Sequence, residues 1–545
     1  MKLYLSMLLT EALGRAGLGV PDTGIQFERP KVAEHGDVAT NIAMILAKPA
    51  RKNPRELASI ICDTLRPLLD AGKIAAVDVA GPGFINFRYA ESYIYDMLEE
   101  IIRKGSVYGR SETHRGKKIN VEWVSANPTG PLHAGHGRQV CLGASLCVVL
   151  EWSGWDVTRE YYFNNAGNQM QNLAITVRAR YLEQCGMTPD PEDLHYAGEY
   201  VSEIGREVFA EFGDGKKDAD LDFFRSRGER WCFASITRTL AVLGVRHDVF
   251  FNEDSLYRDG KITDVLRLLK EQDLAYEQDG ATWLRTTAFG ADKDRVIVKS
   301  TGEPTYRLPD IAYHREKLLR GYDRVIDIFG ADHIATIPDV LSGVKALGLP
   351  VDHVDVIIHQ MVSFVNDGEA VRMSKRSGNV YYLDDLIADV GQDAVRYFFV
   401  MRGANAHLEF DVKLAQEQSE NNPVYYLQYA HARIASILRF AESQGLETGI
   451  GAELSLLCHP AEHALIKALL GFPDIVALCA STYEMQHLCT YLNTLAAEFH
   501  RFYHECRVVT EDAALSRARL ALSRATKQVL ANGCTLLGIA APEKM

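Results

Sequence analysis

The chain has 545 residues, of which 47% are apolar and 24% are charged, and its formal net charge is −13. This length predicts roughly three to four domains, and the ordinary balance of residue types excludes a largely disordered chain. A net charge of this sign argues against a nucleic-acid partner, although the distribution of charge matters more than its sum.

The N-terminal segment from Lys2 predicts an amphipathic helix rather than a secretion signal. Its apolar run is short, is interrupted by Glu11 and is not followed by a small-residue cleavage site. Elsewhere no apolar run approaches the ~18–20 residues of a membrane helix. The ten cysteines form no CxxC pair, which predicts reduced, mostly buried thiols, no metal site and a cytoplasmic protein without a membrane partner.

Four segments follow one another along the chain. Residues 1–108 mix helical and strand patterns. From Lys117 onwards, KINVEWV predicts a buried strand, GHGRQVCLGASLCVVLEW a helix and DVTREYYFNN a second strand, which is the βαβ order of a nucleotide-binding sheet. A charge-rich helical insertion covers about residues 178–285, and RVIVKS, RVIDIFG and VDVIIHQMV then predict further strands of the same sheet. After LEFDVKLAQ the pattern is helical to the end.

The motif His133-Ala134-Gly135-His136 lies where the loop SANPTGPLHA meets the first helix of this βαβ unit. A helix N-terminus presents N–H groups and a positive dipole end to an anion, and two histidines add donors for the phosphates of ATP. Gly135 leaves room for a flat base beside the backbone. Two histidines near a helix start also occur by chance, but the preceding strand and the small-residue helix favour ATP binding.

A second motif, Arg372-Met373-Ser374-Lys375, follows a predicted strand and the polar loop FVNDGEA, and it precedes a helical stretch. A basic loop in this place can close on a triphosphate, with Lys375 neutralising charge on the leaving group. By itself the segment is equally compatible with an exposed surface loop.

Together the two motifs resemble the two signatures of class I aminoacyl-tRNA synthetases, in the right order and sheet context. Arg372 stands where the second signature usually has its first lysine, which leaves the role of this position open. Longer segments resemble arginyl-tRNA synthetases in particular: HGDVATN, GPGFINF, VEWVSANPTGPLHAGHGR, YYFNNAGNQ, TYRLPDIAYHREK, FGADH, NPVYYLQYAHAR and APEKM. The resemblance covers nearly the whole chain and is weakest from about residue 178 to 285.

The resemblance implies an α/β fold in three parts. These are an N-terminal α+β tRNA-binding domain (1–108), a Rossmann-type parallel-sheet catalytic domain with an α/β insertion (109–405), and an all-α anticodon-binding helix bundle (406–545). It implies a monomeric arginine–tRNA ligase, which uses ATP and Mg²⁺ to convert L-arginine to arginyl-adenylate and transfers arginine to the 3′ end of tRNA(Arg), releasing AMP and diphosphate. The family also implies that tRNA binds before activation. Catalysis then depends on positioning and electrostatics, and no protein nucleophile is needed.

The same resemblance implies the site residues. It assigns ATP binding to His133, Gly135, His136, Met373, Ser374 and Lys375, of which His133, His136 and Lys375 are catalytic. Because a guanidinium needs planar acceptors, Glu122, Tyr306 and Asp310 are expected to hold it. Asn127 and His333 are expected at the α-amino and carboxylate end. Without the family, the better explanation of Glu122 is a surface charge at a strand end, and that of Tyr306 is a core aromatic.

Residues expected to contact tRNA lie at both ends of the chain. The sequence NNP starts a helix that carries Tyr425, Tyr426 and Tyr429 on one side, where exposed tyrosines can stack on anticodon bases and buried ones are simply core. The resemblance favours Tyr426 and Tyr429, with the C-terminal Met545 nearby.

In the N-terminal domain, Phe84 and Asn86 match positions that read the tRNA D-loop. The turn His35-Gly36-Asp37 in the same domain is expected to be structural.

Three other functions stay open at this point. The first is a class I ligase for another amino acid, and the arginine-type segment around Tyr306 and Asp310 argues against it. A small-molecule nucleotidylyltransferase needs neither the tyrosine-rich C-terminal helices nor a separate N-terminal domain. A catalytically silent RNA-binding protein has no need to retain His133, His136 and Lys375.

Overall fold

The structure, a computed structural model, describes residues 1–22, 24–28, 30, 33–165, 167–370, 380–446 and 451–545. Buried apolar side chains in this part of the chain form four clusters. One cluster lies in the N-terminal unit, and the largest is shared by the central sheet and the C-terminal helices. All ten cysteines are free thiols and all but Cys185 and Cys458 are buried, as predicted.

The N-terminal unit is a three-stranded antiparallel sheet in the order β1-β3-β2, covered by helices. Its elements are α1 (Lys2–Arg15), β1 (Val38–Thr40), α2 (Ile42–Ala50), α3 (Pro54–Leu65), β2 (Ile74–Ala80), β3 (Phe84–Tyr89) and α4 (Glu91–Lys104). The predicted amphipathic helix at the N-terminus is α1, whose Leu5, Leu9 and Leu13 are fully buried at helical spacing.

The catalytic region alternates strands and helices. Its first half contains β4 (Lys118–Glu122), α5 (His136–Trp152), β5 (Asp156–Phe163), α6 (Asn168–Gln184), α7 (Glu199–Phe212), α8 (Leu221–Val242), β6 (Val249–Asn252), α9 (Asp254–Arg258), α10 (Lys261–Glu271), β7 (Ala275–Gln278), β8 (Ala281–Leu284) and β9 (Arg295–Val298). Its second half contains α11 (Arg307–Leu319), β10 (Arg324–Gly330), α12 (Ile337–Ala346), β11 (Val354–His359), β12 (Val362–Asn366), β13 (Glu369–Ala370), α13 (Leu383–Val390), α14 (Gln392–Val400), β14 (Leu408–Asp411) and α15 (Val412–Gln416).

The central sheet is parallel throughout, in the order β11-β10-β4-β5-β6. The chain leaves β4 towards β5 on one side and later returns to β10 on the other side, so the order reverses next to β4. In open α/β sheets, ligands bind at the carboxyl ends of the strands at such a reversal. The Rossmann-type sheet predicted from the sequence is therefore present, and it places Glu122 beside the expected ligand crevice.

Two sequence-based strand assignments differ from the structure. RVIV is β9 and pairs with β8 in a separate antiparallel sheet, not in the parallel sheet. Conversely, the range 178–285 contains β6, which pairs with β5 and belongs to the central sheet. A short strand with three apolar residues in a row has the same pattern in either kind of sheet, so tertiary packing selects its partner.

The C-terminal region is a helix bundle formed by α16 (Pro423–Ser443), α17 (Pro460–Leu470), α18 (Phe472–Thr482), α19 (Gln486–Glu505) and α20 (Ala513–Leu537). Within the described residues, the stretch Pro460–Thr482 is long and apolar enough to cross a membrane by composition, which the sequence analysis did not expect. In the structure it is two helices separated at Gly471, and Leu465, Leu469 and Phe472 are fully buried in the bundle.

The N-terminal unit is fastened to the bundle through the predicted structural turn. Gly36 has a φ of 109°, and a Cβ there would lie 2.6 Å from the carbonyl oxygen of Phe87, so only glycine fits. The next residue, Asp37, accepts a hydrogen bond from the Tyr89 N–H at 2.8 Å and pairs with Lys467 of α17 at 2.6 Å. The Asp37 side chain is only 6% exposed.

We expect Lys467→Ala to lower the free energy of unfolding by about 1–3 kcal/mol, since it leaves a buried carboxylate short of a partner. Lys2→Ala is the matched control, because the Lys2–Asp474 pair also joins the N-terminal unit to the bundle but is 43% and 39% exposed. That variant should cost under about 0.5 kcal/mol. Urea unfolding of the full chain measures both, and equal losses would contradict a special role for Asp37.

Candidate active site

A cavity of about 790 Å³ opens at the carboxyl ends of β4, β5, β10 and β11. The sequence-predicted residues that line it, from three separate stretches of the chain, are Glu122, Asn127, His133, Gly135, His136, Tyr306, Asp310 and His333. The second motif, with Arg372, Met373, Ser374 and Lys375, lies outside the described residues. The fold thus brings every described member of the predicted ATP and arginine sets to one site.

The two histidines of the first motif stack on each other at the start of α5, with their ring centroids 3.6 Å apart. Burial lowers the pKa of both imidazoles, and for His136 burial and the neighbouring His133 and His359 lower the pKa to about 3. Both rings are therefore neutral at pH 7, and each offers one N–H to an anion. The buried Nδ1 of His136 has no partner within the described structure, which leaves it available to a ligand.

Gly135 makes room for the ring of His133, and the first backbone N–H groups of α5 already have partners. A Cβ at Gly135 would lie 3.1 Å from Nδ1 of His133, so the glycine makes room for that ring as well as for a ligand. The N–H groups of His136 and Gly137 already donate to the carbonyls of His133 and Ala134. An anion at this end of α5 therefore meets the imidazoles and the helix dipole more than the first N–H groups.

Backbone hydrogen bonds connect the segment after the second motif to the first motif. The N–H of Ala134 donates to the carbonyl of Tyr381 at 2.7 Å, and the N–H of Leu383 donates to Leu132 at 2.8 Å. His133 and Tyr382 form the antiparallel bridge between these two bonds. The described segment that follows the second signature thus lies against the first signature, although more than two hundred residues separate the two in sequence.

Glu122 is held by an unusual turn at the end of β4. Val124 and Ser125 both have positive φ angles, 71° and 41°, which is rare for residues other than glycine and costly for a β-branched one. The turn lets the Ser125 hydroxyl donate to Oε1 of Glu122 at 3.0 Å while accepting from the N–H of Tyr162. The carboxylate is therefore fixed in direction before any ligand arrives.

Lys317 of α11 holds the other carboxylate oxygen of Glu122. Its Nζ donates to Oε2 of Glu122 at 2.5 Å and to Oδ1 of Asp327 on β10 at 2.6 Å, and the lysine side chain is fully buried. Burial alone disfavours the ammonium, but the charges of Asp327 and Glu122 raise the pKa of Lys317 above its ordinary value. The lysine stays charged and holds the carboxylates of Glu122 and Asp327 in place beside the cavity.

Asp310 is an acidic group of the cavity whose carboxylate forms no salt bridge with a lysine or arginine within the described residues. Burial raises the pKa of its carboxyl to about 7; the charge of His314 lowers this pKa, while the charges of Glu253 and Glu122 raise it further. His314 is held between Asp310, whose carbonyl lies 2.8 Å from Nδ1, and Asp327, whose carboxylate lies 3.0 Å from Nε2. A cationic ligand that paired with Asp310 would relieve an unfavourable concentration of negative charge.

The outer part of the cavity is more exposed. Tyr306 is 54% exposed and the guanidinium of Arg307 lies 4.7 Å from its ring centre. His333 stacks on Phe329 with the ring centroids 5.4 Å apart. The amide of Asn127 donates to Oε1 of Gln169 at 2.6 Å. Tyr306 and His333 are therefore free to adjust around a ligand, while Asn127 is already tied to α6.

The residues predicted to contact tRNA on the bundle form an aromatic group at the start of α16. Tyr426 and Tyr429 both lie against His500 of α19, with ring centroids 4.8 and 5.9 Å apart, and Tyr425 stacks on Tyr429. Asn422 caps the helix through its side chain, as the sequence indicated. All three tyrosines are partly buried, so each is in part accessible to solvent.

The other predicted tRNA contacts differ in exposure. Met545 is 55% exposed at the end of the C-terminal tail. Hydrogen bonds of Gln428 and His431 on α16 to the carbonyls of Ala540 and Pro542 hold this tail beside the helix. In the N-terminal sheet Phe84 is half-buried, whereas Asn86 is only 5% exposed. Phe84 is therefore the more accessible of that pair.

Comparison with known proteins agrees with this geometry. The family model described as "tRNA synthetases class I (R), catalytic domain" matches residues 97–400, "Arginyl tRNA synthetase N terminal domain" matches 4–89, and "DALR anticodon binding domain" matches 427–545. The chain is 47% identical over 555 residues to the arginine–tRNA ligase of Pelodictyon phaeoclathratiforme and 48% identical over 556 residues to that of Chlorobaculum tepidum, with both chains covered completely in each case. The chain belongs to the arginyl-tRNA synthetase family.

The solved arginyl-tRNA synthetase of Thermus thermophilus has the same fold as this family member. It superposes with a TM-score of 0.80 at 22% identity, over the whole of both chains. The resemblance found in the sequence and its three-part fold are thereby confirmed. A class I synthetase uses ATP as a substrate, so the cavity beside the first signature belongs to an ATP-dependent enzyme.

Sequence reasoning missed three side chains that form hydrogen bonds to Glu122 or to the main-chain carbonyl of Asp310: Ser125, His314 and Lys317. The last two share a helix face with residues that were predicted, since Tyr306, Asp310, His314 and Lys317 follow one another at spacings of four, four and three. That periodicity could have indicated them. No local signal marks Ser125, because its role depends on the positive φ of the turn.

Proposed function

We propose that the cavity is where this arginine–tRNA ligase of class I joins L-arginine to AMP, before arginine passes to the 3′ end of tRNA(Arg). The observation that supports this most directly is the charge of the cavity. The cavity next to the stacked histidines is bordered by Glu122 and Asp310, and no cation donates to the Asp310 carboxylate in the described structure. We assign the guanidinium to these two carboxylates and to the Tyr306 hydroxyl.

The opposite end of the arginine is assigned to Asn127 and His333, which also line the cavity. This arrangement points the arginine carboxylate towards the first signature, where His133 and His136 donate to the ATP phosphates. The carboxylate attacks the α-phosphate and the bond to the leaving pyrophosphate breaks, so negative charge accumulates on the pyrophosphate, where the N–H groups of the neutral imidazoles can donate hydrogen bonds. Met373, Ser374 and Lys375 are proposed to complete the ATP site from the second signature.

Mg²⁺ is proposed to enter with ATP. The described residues contain no group of three or more His, Cys, Asp or Glu side chains that could hold a metal ion. Mg²⁺ ordinarily keeps several waters and binds phosphate oxygens with at most one or two carboxylates, so ATP can supply most of its ligands. When bound, the ion neutralises phosphate charge during the attack.

We propose the domain limits 108/109 and 405/406, with Tyr426, Tyr429 and Met545 contacting the anticodon and Phe84 and Asn86 the D-loop. β14, which follows residue 405, pairs with β12 of the catalytic region. The two regions are therefore in contact across the limit 405/406. The free and mostly buried thiols support a reducing, cytoplasmic location. A monomer is proposed for solution and is tested by sedimentation.

Arginine-dependent ATP–pyrophosphate exchange tests the function. We expect exchange with arginine, and not with lysine, when tRNA(Arg) is present. Measurement without tRNA then shows whether activation requires it. A folded chain that binds tRNA(Arg) but exchanges nothing with arginine in either condition would be a silent RNA-binding relative, and the proposal would fail.

The affinity for arginine should depend on pH. Burial raises the pKa of Asp310 to about 7, and the guanidinium pairs with the ionised form of its carboxyl. As pH falls from 8 to 6 the carboxylate takes up a proton, and the KM for arginine should rise by about tenfold. Protonation of His314 opposes this, because its charge favours the ionised Asp310. The KM is measured by exchange at pH 6, 7 and 8, and an unchanged value would contradict the assignment of Asp310.

A further inference from the structure

One tyrosine of the helical insertion, here the unit formed by α6, α7 and α8, packs against the loop of the first signature. Tyr200 is the second residue of α7 and is 9% exposed. Its hydroxyl donates to the carbonyl of Thr129, four residues before His133. Its ring covers Gly130, where a Cβ would lie 3.1 Å from the tyrosine ring.

The same tyrosine is close to the stem of the second signature. A Cβ at Gly198 would lie 2.4 Å from the ring of Tyr200 and 3.0 Å from the hydroxyl of Tyr382. Tyr382 in turn forms the backbone bridge to His133. Gly198 therefore allows the start of α7 to fit between the two stems that carry the ATP motifs.

On its other side Tyr200 belongs to the core of the insertion. Its ring stacks on Trp231 of α8, with the centroids 5.8 Å apart, and it shares an apolar cluster with Leu173 and Val177 of α6. A second bond, from the amide of Asn127 to Gln169, ties the first turn of α6 to the cavity wall. A shift of the insertion is therefore transmitted to the loop that ends in the histidines.

We propose that Tyr200 is a positioning residue for adenylate formation. Through the Thr129 carbonyl it fixes the loop 129–133, and with it the stacked histidines, in the conformation that binds ATP. The insertion thereby controls ATP affinity without touching arginine. This inference rests on the proposed function of the cavity as the site of adenylate formation.

Tyr200→Phe tests the proposal, because it removes only the hydroxyl and keeps the ring. Tyr181→Phe is the matched control: Tyr181 is a fully buried tyrosine of the same insertion, and its hydroxyl donates to Gly213 at 2.7 Å, away from the signatures. We expect Tyr200→Phe to raise the KM for ATP by about tenfold, the ratio typical of one lost hydrogen bond. The KM for arginine should change less than twofold, and the melting temperature should match that of the control.

The control variant should leave both constants unchanged. The proposal is overturned if Tyr200→Phe leaves the KM for ATP unchanged, or if it weakens the binding of ATP and of arginine to the same extent. Equilibrium dialysis measures the binding of ATP to the full chain directly. It therefore separates failure of the role proposed for Tyr200 from failure of the proposed function. An unmutated chain without arginine-dependent exchange would refute the function. A weaker binding of ATP by Tyr200→Phe than by the unmutated chain would still support the role of Tyr200.

Discussion

Asp310→Asn is expected to raise the KM for arginine by roughly 30- to 4,000-fold and to leave the KM for ATP unchanged. Removing one partner of a desolvated charge pair costs about 2–5 kcal/mol, and each 1.4 kcal/mol corresponds to a factor of ten. The asparagine keeps the size of the side chain but offers one acceptor and no charge to the guanidinium. Exchange kinetics with varied arginine and varied ATP measure the two constants separately.

Stability distinguishes this loss from a loss of folding. Burial raises the pKa of Asp310 in the folded chain to about 7, above its value in the unfolded chain. The free energy of unfolding therefore falls as pH rises between these two pKa values, and this loss is complete above pH 7. Asp310→Asn should therefore be at least as stable as the unmutated chain at pH 8. Asp264→Asn, at an exposed site on α10, is the control and should alter neither constant. An arginine KM within threefold of the unmutated value would refute the role of Asp310.

Lys317→Met is expected to destabilise the catalytic region by about 3–5 kcal/mol, since it leaves Glu122 and Asp327 buried without their shared cation. The apparent melting temperature should fall by roughly 5–10 °C. Arginine-dependent exchange should be lost as well, because Glu122 is then free to turn away from the cavity. Thermal unfolding and exchange are the two measurements.

Two further variants make the Lys317 result specific. Lys299→Met removes an exposed lysine whose pair with Glu303 is worth little, so it should change stability by less than about 1 kcal/mol. The double variant Lys317→Met with Asp327→Asn should recover part of the lost stability, because one unpaired charge is removed with its partner. A double variant less stable than Lys317→Met alone would show that the lysine acts through packing rather than charge.

The contacts that tie the three parts together were not visible in the sequence. Asp37 and Lys467 are 430 positions apart, and neither lies in a pattern that names the other as its partner. Likewise, RVIV carried a correct strand signal, yet its place in the antiparallel sheet depends on pairing with β8. Strand partners are chosen by long-range packing, and a local pattern of four residues does not contain that choice.

The sequence by itself determined the family, the βαβ order around His133 and His136, the amphipathic first helix and the cap at Asn422. These depend on long motifs, on local hydrogen bonds and on the spacing of apolar residues, all of which are read within a few turns of chain. Only the tertiary structure decided that Lys317 is buried between Glu122 and Asp327, that Ser125 turns to hold Glu122, and that Tyr200 touches the signature loop. Burial and charge pairing arise when distant segments meet, and the same lysine or tyrosine on an exposed helix face would have given the same sequence pattern.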